Sequence, residues 1–148
     1  MDFSKFDKQV DLEGLKHDIL DAEENGSNFR EVPHGNYDVA ITKLELTESK
    51  KGDPMVTCWF KILEGEFKNS LIFMNQVVTQ GFQIHIVDEF LRSLGTSVDV
   101  KFESYAQYAD MILDVFEEVE ENLEFALKYD ETKKGFNTFE ITDVFEVE

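Results

Sequence analysis

Tyr37-Asp38-Val39-Ala40-Ile41-Thr42-Lys43-Leu44-Glu45-Leu46-Thr47-Glu48-Ser49-Lys50-Lys51-Gly52 holds one strand that changes phase and the turn that ends it. Tyr37, Val39 and Ile41 alternate, and then the apolar positions move to Leu44 and Leu46. Strand side chains alternate between faces, so a slip of phase within one strand implies a bulge, here near Thr42-Lys43. Such a bulge bends the strand and lets its halves serve different parts of a curved sheet. Lys50-Lys51-Gly52 then supplies the glycine that a tight hairpin turn demands.

Working outward, the same turn recurs. Glu48-Ser49-Lys50-Lys51-Gly52 is matched by Glu131-Thr132-Lys133-Lys134-Gly135, and each copy separates two alternating apolar runs. Strands are expected over residues 37–47, 55–63, 70–78, 122–130 and 136–147. Between the third and fourth the period turns helical. Phe82, Ile86, Phe90, Leu91 and Leu94 form one stripe that Gly95 stops. Tyr105, Tyr108, Ala109, Ile112, Val115, Phe116 and Val119 form another, opened by a Ser104/Gln107 capping box. Three strands, a helical segment and a final hairpin are the element order of the oligonucleotide/oligosaccharide-binding (OB) fold, a five-stranded barrel. The expected class is therefore mainly β with helices, an OB-fold-like domain over residues 31–148. The loops between strands one and two, and four and five, rise beside the ligand face of that fold. Those loops carry the two Lys-Lys-Gly turns.

Residues 1–30 read as an acidic N-terminal arm. Phe3, Phe6, Val10, Leu12, Leu15, Ile19 and Leu20 have loose helical spacing that Gly14 weakens, and 23–28 is linker-like. The chain has 148 residues, 42 % of them hydrophobic and 14 of them Phe, enough for one domain with an aromatic core. Cys58 stands alone, so no intramolecular disulfide or cysteine-rich zinc site is expected, which suits a reducing compartment. The first residues do not read as a signal peptide, and no apolar run is long enough to span a bilayer.

Net charge is −18 and unevenly spread. Residues 36–98 hold 8 acids and 6 bases, whereas residues 99–148 hold 15 acids and 4 bases. An acidic molecule does not attract nucleic acid at long range, but a local basic groove remains compatible with it. Four of the 14 bases stand as two pairs on two loop tips, an arrangement suited to clamping a polyanion. Ordinary turn chemistry accounts for the same residues.

On the second strand, Trp59 alternates with Thr57 and Lys61, while Val56, Cys58, Phe60 and Ile62 form the more uniformly apolar set. If the latter set faces inward, Trp59 and Lys61 face outward, where an indole stacks a base and an ammonium meets a phosphate. The alternative is a tryptophan covered by the arm or the second helix. The pattern does not decide whether Phe73, or the pair Ile72 and Met74, faces inward. Phe67 lies in a turn beside Lys68, and Tyr129 reads as core. His17, His34 and His85 lie in separate segments without metal-ligand spacing, and His85 is expected at a partly buried helix face. No phosphate-binding glycine loop or nucleophile elbow is present. Neither catalysis nor a cofactor is expected.

Pro33-His34-Gly35-Asn36-Tyr37-Asp38-Val39, Ser49-Lys50-Lys51-Gly52-Asp53-Pro54-Met55, Cys58 to Lys68, Ile72 to Ile84 and Thr132-Lys133-Lys134-Gly135-Phe136 resemble a family of phage and prophage proteins. That family was first catalogued as a domain of unknown function. Its members sit among replication and recombination genes and are regarded as single-stranded DNA-binding proteins. The resemblance implies a non-sequence-specific single-stranded DNA-binding protein of the host bacterial cytoplasm. Its partners would be single-stranded DNA and replication or recombination proteins, with no membrane. A homo-oligomer stays open. On that reading Lys50, Lys51, Lys133 and Lys134 contact phosphates, Lys43 and Lys61 line the groove, and Trp59 with Phe73 stacks bases. The rival is an acidic interaction protein or DNA mimic that inhibits a nucleic-acid enzyme.

Overall fold

The computed structural model describes residues 31–147. The arm read over residues 1–30, with His17, lies outside the described residues, as does Glu148. Strand β1 (Gly35–Glu48) carries a register shift between Ile41 and Lys43, so Thr42 is the extra residue that the phase slip implied. The halves of β1 have different neighbours. Gly35 to Val39 pairs with β4 (Leu123–Glu131), and Val39 to Glu48 pairs with β2 (Pro54–Ile62). Adding β3 (Leu71–Val77) beside β2 and β5 (Asn137–Glu146) beside β4 gives the order β3-β2-β1-β4-β5, antiparallel throughout.

Two helices stand between β3 and β4. In α1 (Gly81–Ser93), the Gln83 side chain accepts the Gln80 backbone N–H at 3.0 Å, and Gly95 leaves the helix with φ +73°. In α2 (Tyr105–Val119), the Ser104 hydroxyl accepts the Gln107 N–H at 3.1 Å. The Gln107 side chain in turn accepts the N–H of Glu103 rather than that of Ser104. His85 of α1 is exposed, not partly buried as its spacing implied.

One face of the sheet builds the core. Val56, Cys58, Phe60 and Ile62 of β2 have no exposed surface, and Leu44, Ile72, Met74, Phe125 and Leu127 join them beneath Leu91, Ile112 and Val115. Each such side chain contributes roughly 1.5–3 kcal/mol by leaving water. Helix α2 lies on β1 and β4, while α1 packs against both β3 and β5. The Phe60 ring meets Phe90 of α1 edge-on and stacks on Phe139 of β5, each with centroids 5.9 Å apart.

The barrel expected from the strand order is not closed. No pairing joins β3 to β5 among the described residues, so the sheet is open, with those strands as its edges. The physical reason lies in α1. That helix packs against both edge strands, where a closed barrel would have ladder hydrogen bonds.

Candidate nucleic-acid interface

The outward residues of β1, β2 and β3 form cross-strand rows set by the register. Lys43 lies opposite Trp59, and Trp59 lies opposite Phe73. The Lys43 Nζ sits 4.5 Å from the centroid of the indole ring, within cation–π range. The Phe73 ring meets the indole at 5.4 Å with planes 89° apart. Ile72 and Met74 are buried and Phe73 is 39 % exposed, which settles the ambiguity of the third strand. Trp59 is half-buried because Lys43 and Phe73 cover it, not because it enters the core.

Neighbouring rows frame this one. Lys61, exposed and opposite Ala40 and Leu71, supplies a second cation, and it has no ion pair among the described residues. On the other side Thr57 donates its hydroxyl to the Asn75 side-chain oxygen at 2.6 Å, tying β2 to β3. Glu45 forms an ion pair with Lys43 at 3.3 Å and so draws part of that charge. The opposite end of the face is acidic. Asp38, Glu64 and Glu66 line a cavity of about 330 Å³ with Tyr37 and Phe67. A hydrogen bond to Asp38, reinforced by its charge, raises the Glu64 carboxyl above the usual carboxylate range. Phe67 packs edge-on against Tyr37 at 6.4 Å. The face is thus polarised, with its cations and aromatic rings gathered around Trp59.

The two repeated turns are the same object built twice. Gly52 N–H donates to the Ser49 carbonyl at 2.9 Å, and Gly135 N–H donates to the Thr132 carbonyl at 2.9 Å. Ser49 N–H reaches the Asp53 carbonyl at 2.7 Å, and Thr132 N–H reaches the Phe136 carbonyl at 2.8 Å. The hydroxyl of Ser49 or Thr132 accepts the N–H four residues on, at 3.0 and 3.2 Å. Both glycines are left-handed, at φ +86° and +87°, the geometry of a three-residue hairpin loop closed by a glycine bulge. The repeat therefore has a local cause, and it leaves Lys50, Lys51, Lys133 and Lys134 exposed without ion pairs among the described residues. Because β1 and β4 are antiparallel, with Gly35 opposite Tyr129, the turns leave the sheet past opposite ends of β1.

One residue escaped the sequence reading. Phe136 occupies in the second turn the place of Asp53 in the first, and it is 68 % exposed beside Lys133 and Lys134. The signal was present, since an aromatic residue directly after a turn glycine breaks the likeness between the copies. Tyr129 behaves as core, stacked on Phe139 at 5.5 Å. His34 is exposed, its Nε2 within 2.9 Å of the Asn137 side-chain oxygen. Cys58 is fully enclosed, and burial pushes its thiol well up. No helix among the described residues is long and apolar enough to cross a membrane.

Curved sheet, open edges and a face of rings and cations define a mainly-β protein with two covering helices. Residues 20–139 match the DUF669 family, described as a protein of unknown function, and the chain belongs to that family. No curated protein matches the chain.

Proposed function

We propose that this protein binds single-stranded DNA without sequence preference and acts by binding alone, without chemistry or cofactor. The observation that carries the reading is the row Lys43–Trp59–Phe73 on the outward face. Stacking on aromatic rings tolerates every base, and lysines follow the phosphates, so rings interleaved with cations suit a single strand better than a duplex. Lys61 extends the row, and the two Lys-Lys-Gly turns hold the strand at the ends of the sheet. The order β3-β2-β1-β4-β5, with α1 between the edges, supports a partly open variant of the OB fold, whose ligands cross the second and third strands. The resemblance to phage and prophage proteins supports a role in DNA replication or recombination in the bacterial cytoplasm. Binding of fluorescent oligothymidine across a salt series tests the proposal. Duplex of equal length should bind at least tenfold more weakly.

A second reading draws on the charge of the C-terminal third. With 15 acids against 4 bases over residues 99–148, α2 and β5 present acid where a nucleic-acid enzyme would meet phosphate. A DNA-mimic protein would bind such an enzyme and leave oligothymidine alone.

A further inference from the structure

Phe136, at the tip of the β4–β5 hairpin, is more exposed than any other large hydrophobic side chain among the described residues. The turn does not need its ring. Asp53 holds the same place in the first turn, and its N–H meets the Ser49 hydroxyl as the Phe136 N–H meets that of Thr132. Backbone and hydroxyl groups close both turns alike, so either side chain serves the geometry. What differs is the surface. An acid beside Lys50 and Lys51 becomes a phenyl ring beside Lys133 and Lys134.

Register fixes which side of the hairpin carries that ring. Tyr129 and Phe139 are paired on the core side, so Asp130 with Thr138, and then Thr132 with Phe136, take the other side. Lys128 and its β1 partner Asn36 share that outward parity. Glu131 has the opposite parity, and the Asp130 carboxylate accepts the Glu131 N–H at 2.8 Å. Phe136 therefore belongs to the outward face, past the Gly35 end of β1. The row of Lys43, Trp59 and Phe73 crosses the same face roughly 25 Å of strand beyond Gly35. Asp38 lies between them on β1 and lines the acidic cavity with Glu64 and Glu66. Those carboxylates repel phosphate, so the two groups of ring and cation are separate stations and not one continuous groove.

We propose that Phe136, with Lys133 and Lys134, forms a second station that stacks one unpaired base of the strand already held at the Trp59 row. Only a single strand long enough to pass the acidic gap engages both stations. The inference rests on the single-stranded DNA reading and adds a length class to its ligand.

The test compares labelled oligothymidines of about four and about twenty nucleotides, which bracket the site sizes of single OB folds. Phe136→Ala should weaken binding of the longer strand about tenfold, within the range for one stacked base, and Phe136→Tyr should restore it. Phe136→Asp, which installs the residue of the first turn, should behave like Phe136→Ala, and circular dichroism should show all three variants folded. The shorter strand should bind the parent and Phe136→Ala equally, while Phe73→Ala weakens both lengths. Parent-like binding of the longer strand by Phe136→Ala would overturn the second station and leave the single-strand reading standing. Equal losses at both lengths, or a Phe136→Tyr variant as weak as Phe136→Ala, would overturn it too. A parent chain that binds neither length would remove the single-strand reading itself, and the second station with it.

Discussion

Phe60 and Phe139 stack with centroids 5.9 Å apart and planes within 16°, although the order of the sheet puts β1 and β4 between their strands. Neighbouring strands lie about 4.8 Å apart, so three steps across a flat sheet would separate these residues by roughly 14 Å. The contact therefore measures the curl of the sheet. Bending β1 at Thr42 brings β5 round to face β2, and Phe90 of α1 completes the cluster.

A double-mutant cycle on Phe60→Leu and Phe139→Leu should reveal this coupling. Aromatic pairs contribute about 0.5–1.5 kcal/mol beyond the area they bury, and residues in contact are not additive. Urea unfolding of the four proteins should give an interaction energy in that range. Additive effects would show that the rings do not meet.

The two turns predict equal costs from equal geometry. A non-glycine residue in the left-handed region costs roughly 1–2 kcal/mol, so Gly52→Ala and Gly135→Ala should each destabilise by about that much. A Cβ on Gly52 would approach the Glu48 carboxylate at 3.3 Å, but that group is the far end of a flexible side chain and can move aside. The turns lie past opposite ends of β1, so the two losses should add in thermal or urea unfolding.

Much of this architecture was legible because local rules agree with the fold. The phase slip around Thr42 marked the bulge, both Lys-Lys-Gly strings marked turns, and Gly95 marked the end of α1. The openness of the sheet was not legible. Alternation along one strand says which residues share a face, but not whether an edge finds a strand or a helix beside it. The same gap hid the surroundings of Trp59, since Lys43 and Phe73 meet it only through the registers of β1 with β2 and of β2 with β3. Phe136 was overlooked for the opposite reason. The likeness of the two turns drew attention to the lysines they share and away from the residue that differs.

Glu118 predicts a pH effect. Hydrogen bonds from the Ser97 hydroxyl and backbone N–H hold its carboxyl below the ordinary 4.5. A lowered folded-state value stabilises the protein above the unfolded value, and that stability is lost as pH falls through the lowered one. Glu118→Ala should therefore unfold at lower urea than the parent at pH 7. The difference should shrink as pH falls through the lowered folded-state value and the parent's carboxylate takes up its proton. A gap that stays equal throughout that acid titration would contradict the assignment.

Replacing Lys50, Lys51, Lys133 and Lys134 with alanine should weaken oligothymidine binding for all sequences alike. If all four meet phosphates, the log–log salt slope should fall by roughly 3, at about 0.7 per single-strand phosphate. Phe136→Ala should leave that slope unchanged yet weaken binding by about 1–3 kcal/mol, the range for a stacked base. A quadruple variant with the parent's slope would remove the turns from the interface.

The central claim rests on the outward row, and Trp59, the single tryptophan of the chain, reports on it directly. The decisive measurement is its fluorescence during titration with oligothymidine at low salt, for the parent and for Phe73→Ala. The account predicts saturable quenching in the parent that added salt reverses. It also predicts binding weaker by about 1–3 kcal/mol in the variant, whose fold should persist because Phe73 lies outside the core. An emission spectrum that does not change while oligothymidine binds, or no binding at all, would contradict it.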